Sequence, residues 1–418
     1  MRRLLDGVKV VSLTHYLQGP SCVQFLADMG ADVVKVERAG GAYERHWSGA
    51  EAFVGDESVF FLLAGRNQRS IELDLRSEGG SRVLWRLIEE ADVLVENFRP
   101  GVLQRYGFGY DEVHERNQGL VYCSLTGFGS TGPYAARPGQ DLLVQSLSGL
   151  MMLSGRADTP PTPIGSAVVD QHAAALGALG VVAALFSRQQ TGQGTKVDSN
   201  LLSAALDLQL EPVNYHLNGA KLYDRSASGI SSRFHQAPYG VFETADGWLT
   251  LSLADGATLT RAFADDRFAT WTKADQFASR EDVNHLVAEH MVKRSTHEWV
   301  DHLDAVGIWN AEVRDYDDVI EDPQVKHNGS IVEFELPRAG KVRLLNHPLR
   351  YDDQTPEVWR LPPNVGENTD EVLGELRYTE AEITHLRSSR AIGPDRAARP
   401  FDRVAEAPAS AYSRKAAR

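Results

Sequence analysis

Hydrophobic positions in the first half of the chain alternate between strand-like and helix-like patterns. Short apolar, β-branched runs predict strands at residues 8–13, 31–37, 70–75, 92–96 and 120–125. Between them, residues 22–29 and 78–90 carry apolar side chains at helical spacing. Strand–helix–strand units at this spacing indicate a parallel sheet with helices on its faces. The predicted fold class is therefore α/β, with a Rossmann-like large domain.

The longest apolar run, residues 173–186, is rich in Ala and Gly and lies within a helix predicted over 170–190. Gly192 and Gly194 follow as stop signals. A membrane-spanning helix needs about 18 consecutive apolar residues or more. We therefore expect a buried helix and no interaction with a membrane.

The second half of the chain predicts a smaller domain. Residues 222–232 are polar and contain Gly and Ser, which is typical of a linker, and a compact α+β segment is predicted over 238–322. Residues 331–345, with Gly340 at a turn, predict a β-hairpin. From residue 387 onward the chain carries eight bases and three acids with little apolar periodicity, so residues 393–418 are predicted to be a disordered tail.

Composition limits the classes of partner. The chain has 57 acidic and 43 basic residues, a formal net charge of −14. An acidic surface repels phosphate backbones, so no nucleic acid partner is expected. The only cysteines, Cys22 and Cys123, are too few for a disulfide framework, and Asp6 and Lys9 interrupt any signal-peptide core. A cytoplasmic location is predicted.

Two motifs suggest cofactors but do not meet the requirements for them. Residues 127–132 satisfy G-x-G-x-x-G after a predicted strand, but Pro133 and Pro138 would break the helix that must follow, so NAD is not expected. His297 and His302 are five residues apart, about 140° around a helix, whereas the zinc motif needs i, i+4 spacing. No metal site is predicted.

Asp170 is the most informative carboxylate, because it stands at the start of the long Ala-rich helix. The pattern alone favours a structural role, since an Asp at this place usually caps the helix. A helix N-terminus also favours the ionised form that a nucleophile needs. Arginines at 66, 69, 99, 105 and 137 each suit a solvated surface, but together they could hold phosphates beyond the strand ends.

Eight segments, in this order, resemble the family III CoA-transferases (the CaiB/BaiF family), which include formyl-CoA and carnitine CoA-transferases and, as a divergent branch, α-methylacyl-CoA racemase. The segments are residues 5–11, 19–20 followed by 25–37, 67–75, 91–101, 127–133, 191–198, 322–325 and 365–372. The resemblance implies that Asp170 is a nucleophile that attacks an acyl-CoA thioester. It also implies an aspartyl mixed anhydride, then an aspartyl-CoA thioester from which a free carboxylic acid takes the CoA.

The resemblance further implies where coenzyme A binds, namely at His15, Leu17, Gln18, Arg38, Leu73, Arg76, Asn97, Phe98, Arg99, Arg105 and Arg137. Gln140 and Asp141 would line the substrate pocket. The family fold is a two-domain subunit in an interlocked homodimer. Residues 1–221 would form the N-terminal part of the large domain, 222–325 the linker and small domain, and 326–392 the return to the large domain.

Two departures from the family pattern bear on the reaction. Racemases carry His-Asp where this chain has Gln140-Asp141, and Gln cannot shuttle a proton. The glycine-rich loop of formyl-CoA transferase is not evident over residues 225–250, so we expect a carboxylic acid other than formate. The prediction is a CoA-transferase; the alternatives are a 2-methylacyl-CoA racemase and a non-catalytic acyl-CoA-binding protein.

Overall fold

The computed structural model describes residues 3–220, 222–228 and 232–394, so the predicted tail lies outside the described residues from 395 on. The strands are β1 (Lys9–Leu13), β2 (Asp32–Glu37), β3 (Phe53–Val54), β4 (Glu57–Ser58), β5 (Gln68–Glu72), β6 (Val93–Glu96), β7 (Val121–Thr126), β8 (Lys196–Asn200), β9 (Tyr239–Glu243), β10 (Trp248–Ser252), β11 (Trp309–Glu312), β12 (Ile331–Leu336) and β13 (Gly340–Leu345).

The α-helices are α1 (Gln18–Asp28), α2 (Val59–Leu62), α3 (Glu78–Glu90), α4 (Val102–Arg105), α5 (Tyr110–Arg116), α6 (Asp141–Leu147), α7 (Val168–Thr191), α8 (Leu201–Asp207), α9 (Leu210–Leu217), α10 (Gly256–Phe263), α11 (Lys273–Ala278), α12 (Arg280–Met291), α13 (Thr296–Val306), α14 (Tyr316–Glu321), α15 (Pro323–His327), α16 (Thr369–Glu375) and α17 (Glu380–Ser388). Short 3-10 helices lie at Tyr43–Arg45, Gly49–Glu51, Leu150–Met152 and Asp266–Thr270.

A six-stranded parallel sheet, in the order β5-β2-β1-β6-β7-β8, organises the first unit of the chain. The predicted α/β class with a parallel sheet is confirmed, and the five predicted strands correspond to β1, β2, β5, β6 and β7. Strand order runs outward from β1 to β2 and β5 and then resumes on the other side of β1 with β6. This reversal creates a crevice beyond the carboxyl ends of β1 and β6, the place where open α/β sheets bind ligands.

Helices bury an apolar face against each side of the sheet. On one side α3 begins after Ser77, whose hydroxyl accepts the Gly80 N–H at 3.0 Å, and buries Leu84 and Ile88. On the other side lie α1 and α7. A Cβ at Gly177 or Gly180 of α7 would come within 2.7 Å of Leu125 or Val197, so these glycines allow α7 to approach β7 and β8 closely.

The helix α7 is long and apolar enough to cross a membrane by length and composition alone. Its residues Ala174, Ala178 and Val181 nevertheless belong to the core of the first unit. Such packing is typical of a core helix, the role predicted for the apolar run 173–186.

The described chain divides into two compact units. The first contains residues 3–138, 170–200 and 327–394, and the second contains Gly139–Val169 and the described part of Leu201–Lys326. The predicted division instead left residues 139–169 and 201–221 in the large domain. The difference arises because these residues contribute no strand to the parallel sheet, while α6 packs against α8 within the second unit.

The second unit has its own core. Its antiparallel sheet, in the order β11-β10-β9, buries Leu249 and Leu251 against the helices α10, α12 and α13. Within the first unit, residues 327–394 include the predicted hairpin, formed by β12 and β13. They also include α16, where Glu375 forms an ion pair of 2.8 Å with the buried Arg69 of β5.

Candidate active site

The residues predicted to bind coenzyme A follow the carboxyl ends of adjacent strands in the first unit. His15, Leu17 and Gln18 follow β1, and Arg38 follows β2. Leu73 and Arg76 follow β5, and β6 is followed by Asn97, Phe98, Arg99 and Arg105. Because these four strands are neighbours in a parallel sheet, all these positions lie along one edge of it. The topology therefore brings together residues that are up to 90 positions apart in the chain (15 to 105).

The loop between β1 and α1 is held by Asn97. The Asn97 Oδ1 accepts the His15 N–H at 2.9 Å, and the Asn97 Nδ2 donates to the His15 carbonyl oxygen at 2.8 Å. A Cβ at Gly19 would lie 2.7 Å from Thr14 and 2.8 Å from Asn97, so only glycine lets α1 begin this close to β6. One amide side chain thus satisfies both backbone groups of His15 at the switch point of the sheet.

A buried ion pair, Lys35 with Glu44, also contacts the loop between β1 and α1. The Lys35 Nζ donates to the Thr14 carbonyl oxygen at 2.8 Å and lies 3.0 Å from Glu44 Oε1. The other Glu44 oxygen accepts the Tyr16 N–H at 3.3 Å, although Tyr16 has a strained φ of +62°. Lys35 and Glu44 were not among the predicted site residues. A Lys within a β-branched run was the available signal, because a buried charge needs a partner.

Burial of His15 lowers its pKa to about 4, against a raising effect of Glu44 and a smaller lowering effect of Lys35. The imidazole is therefore neutral at pH 7 and is no cationic partner for a phosphate. Its ring lies 5.2 Å from the ring of Phe98 and 5.0 Å from that of Tyr16. His15 and Phe98, predicted in the same site from distant parts of the chain, are thus in contact.

Gln18 is the first residue of α1 and is 7% exposed. Within the part of the chain that the structure describes, its Nε2 is a buried donor without a hydrogen-bond partner. A buried amide N–H left unpaired costs about 1–3 kcal/mol, so such a group is expected where a ligand supplies the acceptor. Leu17, just before it, precedes the helix without a side-chain cap.

The turn after β2 is shaped by a second buried network. Burial alone would raise the pKa of Glu37, but its ion pair with Arg45 at 2.6 Å, together with Lys35 and Ser70, lowers that pKa to about 2. Glu37 also accepts the Ala42 N–H at 2.9 Å. Arg38 follows directly, is exposed, and donates to the Gly41 carbonyl oxygen at 3.2 Å. The network therefore fixes the turn that carries Arg38.

The other predicted cations differ in their availability to a ligand. Arg99 and Arg105 are exposed and form no ion pair within residues 3–220, 222–228 and 232–394. Arg76, after the buried Leu73, is 78% exposed in its side chain and pairs with Asp74 at 2.9 Å. Arg137 stands apart, on the long loop between β7 and α6, with its guanidinium 4.5 Å from the Tyr134 ring. Arg99 and Arg105 are therefore the better placed of these four to meet phosphates.

A cavity of about 220 Å³ lies beside Arg99 and was not predicted from the sequence. Its wall includes Glu96, Arg99, Tyr110, Tyr122, Ser124 and Lys196. Burial raises the pKa of Glu96 to about 7, against the lowering effect of hydrogen bonds from Ser124 and the Phe98 N–H. The carboxyl group directly before Asn97 is therefore partly protonated near neutral pH.

The glycine-rich residues 127–132 form a loop. The Gly129 N–H donates to Thr126 Oγ1 at 2.9 Å, and Gly129 and Gly132 have φ values of +96° and +91°. Residues 127–140, all of them described, contain no helix. The helix N-terminus that the dinucleotide fingerprint requires does not follow this loop.

Asp170, the predicted nucleophile, is half-buried in the first turn of α7. Gln140 and Asp141 lie in the second unit; Gln140 is exposed, whereas Asp141 is 7% exposed and begins α6. The Asp141 Oδ2 accepts the N–H of Val169, the residue before Asp170, at 2.8 Å. Among the described residues, no group of three or more His, Cys, Asp or Glu side chains is arranged to hold a metal ion.

Comparison with known proteins finds relatives along nearly the whole chain. A succinyl-CoA:glutarate CoA-transferase from Homo sapiens is 32% identical over 398 residues, covering 92% of this chain and 89% of that protein. A succinyl-CoA–D-citramalate CoA-transferase from Chloroflexus aurantiacus is 31% identical and covers 93% and 98% of the two chains. The crystal structure of a CAIB/BAIF family protein from Brucella suis is 32% identical, with a TM-score of 0.78 and coverage of 89% and 99%.

The family profile described as CoA-transferase family III matches residues 5–369. This match and the relatives confirm the resemblance inferred from the ordered motifs. They also confirm the expected kind of enzyme, which transfers CoA between an acyl-CoA and a carboxylic acid. The chain belongs to CoA-transferase family III.

Proposed function

We propose that this enzyme moves CoA from a dicarboxylyl-CoA such as succinyl-CoA to a short free dicarboxylate, through covalent intermediates on Asp170. The observation that carries the proposal is a half-buried carboxylate in the first turn of α7, in a chain of this family. The dicarboxylate class is suggested by the relatives that are named for succinyl-CoA with glutarate or citramalate.

The proposed reaction consists of four displacements at carbonyl carbon. The Asp170 carboxylate attacks the donor thioester and expels CoA thiolate, leaving a mixed anhydride. The thiolate then attacks the aspartyl carbonyl, which releases the donor carboxylate and leaves an aspartyl-CoA thioester. The acceptor carboxylate attacks this thioester to form a second anhydride and free thiolate. The thiolate finally attacks the acceptor acyl carbon, which gives the new acyl-CoA and restores Asp170.

Each step exchanges one anion for another, so no proton, ATP or redox partner is needed. Thiolate is a good leaving group because the thiol pKa is about 8.5, and the aspartyl thioester conserves the energy of the original bond. Water must be excluded, since hydrolysis of either intermediate would release the acyl group or CoA unused.

The proposed CoA site consists of the residues that follow β1, β2, β5 and β6. Arg99 and Arg105 would meet the phosphates, since neither has an ion-pair partner in the described chain. The unpaired Gln18 Nε2 would donate to an oxygen of the bound thioester. We propose that neutral His15 and Phe98, whose rings are in contact, form an uncharged aromatic wall for the cofactor.

The direct test is exchange between succinyl-CoA and glutarate, followed by mass spectrometry. We expect Asp170→Ala and Asp170→Asn to lose activity by a factor on the order of 10⁴ while still folding. The control is Asp301→Asn, which removes a 71% exposed carboxylate on α13. During turnover, hydroxylamine should convert Asp170 into a hydroxamate. Near-normal exchange by the Asp170 variants, or trapping of another residue, would refute the proposal.

We also propose that the active form is an interlocked homodimer in the cytoplasm. The apolar side chains Leu179 and Phe186, on the face of α7 away from the sheet, are each 65% exposed, which supports burial against a second copy. The cytoplasmic location is a prediction from the cysteine content, and cell fractionation would test it.

A further inference from the structure

The carboxylate of Asp141 reaches across to the beginning of α7. Its Oδ2 accepts the N–H of Val169 at 2.8 Å, and Val169 is the second residue of α7. The first four N–H groups of a helix have no partner within it, and a side chain just before the helix usually caps one of them. Here the capping oxygen comes from another helix, α6, at the residue directly before Asp170.

The other oxygen of Asp141 is held by Gln145, one turn further along α6. The Gln145 Nε2 donates to Asp141 Oδ1 at 2.5 Å, and the Gln145 Oε1 accepts the Ile164 N–H at 2.9 Å. The same amide nitrogen lies 3.3 Å from the Ser166 carbonyl oxygen. Gln145 is 1% exposed and Asp141 is 7% exposed. The two side chains therefore tie the segment that leads into α7 to the buried side of α6.

We infer that Asp141, fixed by Gln145, is a positioning residue that sets the place of Asp170 by holding the first turn of α7. The inference rests on the proposed role of Asp170 as nucleophile. A nucleophile reacts efficiently only when it lies about 3–3.5 Å from the reacting carbon, and a displacement of 1 Å costs about 10²-fold in rate. Both Asp141 oxygens accept protein donors, which favours this role over the predicted contact with substrate.

A capping group that contributes only stability and a group that positions the nucleophile give different kinetic results. Loss of a purely structural cap lowers the free energy of unfolding but leaves kcat unchanged at temperatures where the variant is folded. Loss of positioning lowers kcat while KM for the acyl-CoA stays nearly constant, because CoA is held by other residues.

We expect Asp141→Ala to lower kcat by about 10- to 100-fold with KM for succinyl-CoA within about threefold of the wild-type value. The rate of hydroxamate formation at Asp170 should fall in parallel. Asp141→Asn keeps an oxygen for the Val169 N–H but places an amide N–H against the Gln145 Nε2 donor, so its kcat should lie between those of Asp141→Ala and the wild type. If Asp141→Ala does not fold, Gln145→Ala provides the test, with a smaller fall in kcat expected.

The matched control is Asp255→Ala. Asp255 is also a helix-capping carboxylate, and its Oδ1 accepts the Thr258 N–H at 2.7 Å at the start of α10. Its loss should lower stability and leave kcat unchanged. If Asp170→Ala is inactive, an unchanged kcat in folded Asp141→Ala or Gln145→Ala would overturn the positioning role of Asp141 and leave the proposed function intact. Activity in Asp170→Ala would instead overturn the proposed function.

Discussion

Glu96 provides a test of the electrostatics beside the candidate site. It ends β6, is 7% exposed, and is hydrogen-bonded by the Ser124 hydroxyl at 2.5 Å and by the Phe98 N–H at 2.9 Å. Burial raises the pKa of Glu96 from 4.5 to about 7; the two hydrogen bonds and Lys196 only partly oppose this effect, and Asp198 adds to it. At pH 8 the folded protein therefore holds a buried, ionised Glu96 carboxylate, and the hydrogen bonds and Lys196 offset only part of the cost of burying its charge.

The size of the effect follows from the pKa. The folded state binds the Glu96 proton more tightly than the unfolded state, so the free energy of unfolding falls as pH rises from 4.5 through 7 and is level above that. The rise of the pKa from 4.5 to about 7 corresponds to about 3 kcal/mol at pH 8. Glu96→Gln has nearly the same shape and does not ionise. We expect it to be more stable than the wild type at pH 8 and nearly equal to it at pH 4.5.

The measurement is urea unfolding of wild type and variant at pH 4.5 and pH 8, with amide hydrogen exchange of peptides from β6 and β7 to locate the change. Glu78→Gln, whose side chain is 92% exposed, is the control and should show no such difference. If the stability difference between Glu96→Gln and wild type were the same at both pH values, the burial argument would be refuted.

Three further predictions concern the loop after β1 and the face of α7. In the wild type, the pKa of His15 is about 4 in the folded state instead of 6.5, so the unfolded state binds the proton first and the free energy of unfolding falls as pH drops from 6.5 to 4. His15→Gln lacks this titration, so its free energy of unfolding should fall less over the same range. Thermal unfolding between pH 6.5 and pH 4 measures the difference. Asn97→Ala leaves the His15 N–H and carbonyl oxygen unpaired, so the free energy of unfolding should fall by about 1–3 kcal/mol and KM for acyl-CoA should rise. Urea unfolding and initial rates measure these two quantities. Unchanged values for both would contradict the described geometry of the loop. Leu179→Ser combined with Phe186→Ser should convert a dimer into monomers in light scattering, and an unaltered dimer would show that this face is not the interface.

Local patterns predicted the elements whose side chains share one environment. The β-branched runs of β1, β2 and β6 are buried on both faces of a parallel sheet, so each stands out as an apolar segment. In α3, Leu84 and Ile88 lie one turn apart and pack into the same core. The edge strand β8 was missed, because Lys196–Asn200 is polar and pairs only with β7. No local signal marks a polar edge strand, since its pairing partner lies far away in the chain.

The sequence by itself determined the α/β class, the order of the family motifs and the position of Asp170 at the start of a long helix. Tertiary structure alone decided which charged side chains are buried and what they hold: Lys35 with Glu44 under the first loop, and Asp141 against Val169. The physical reason is that helix and strand periodicity is a property of neighbouring residues. A buried charge or amide, by contrast, is stable only if a donor or acceptor from a distant segment reaches it within about 3 Å, and only the folded chain brings the two together.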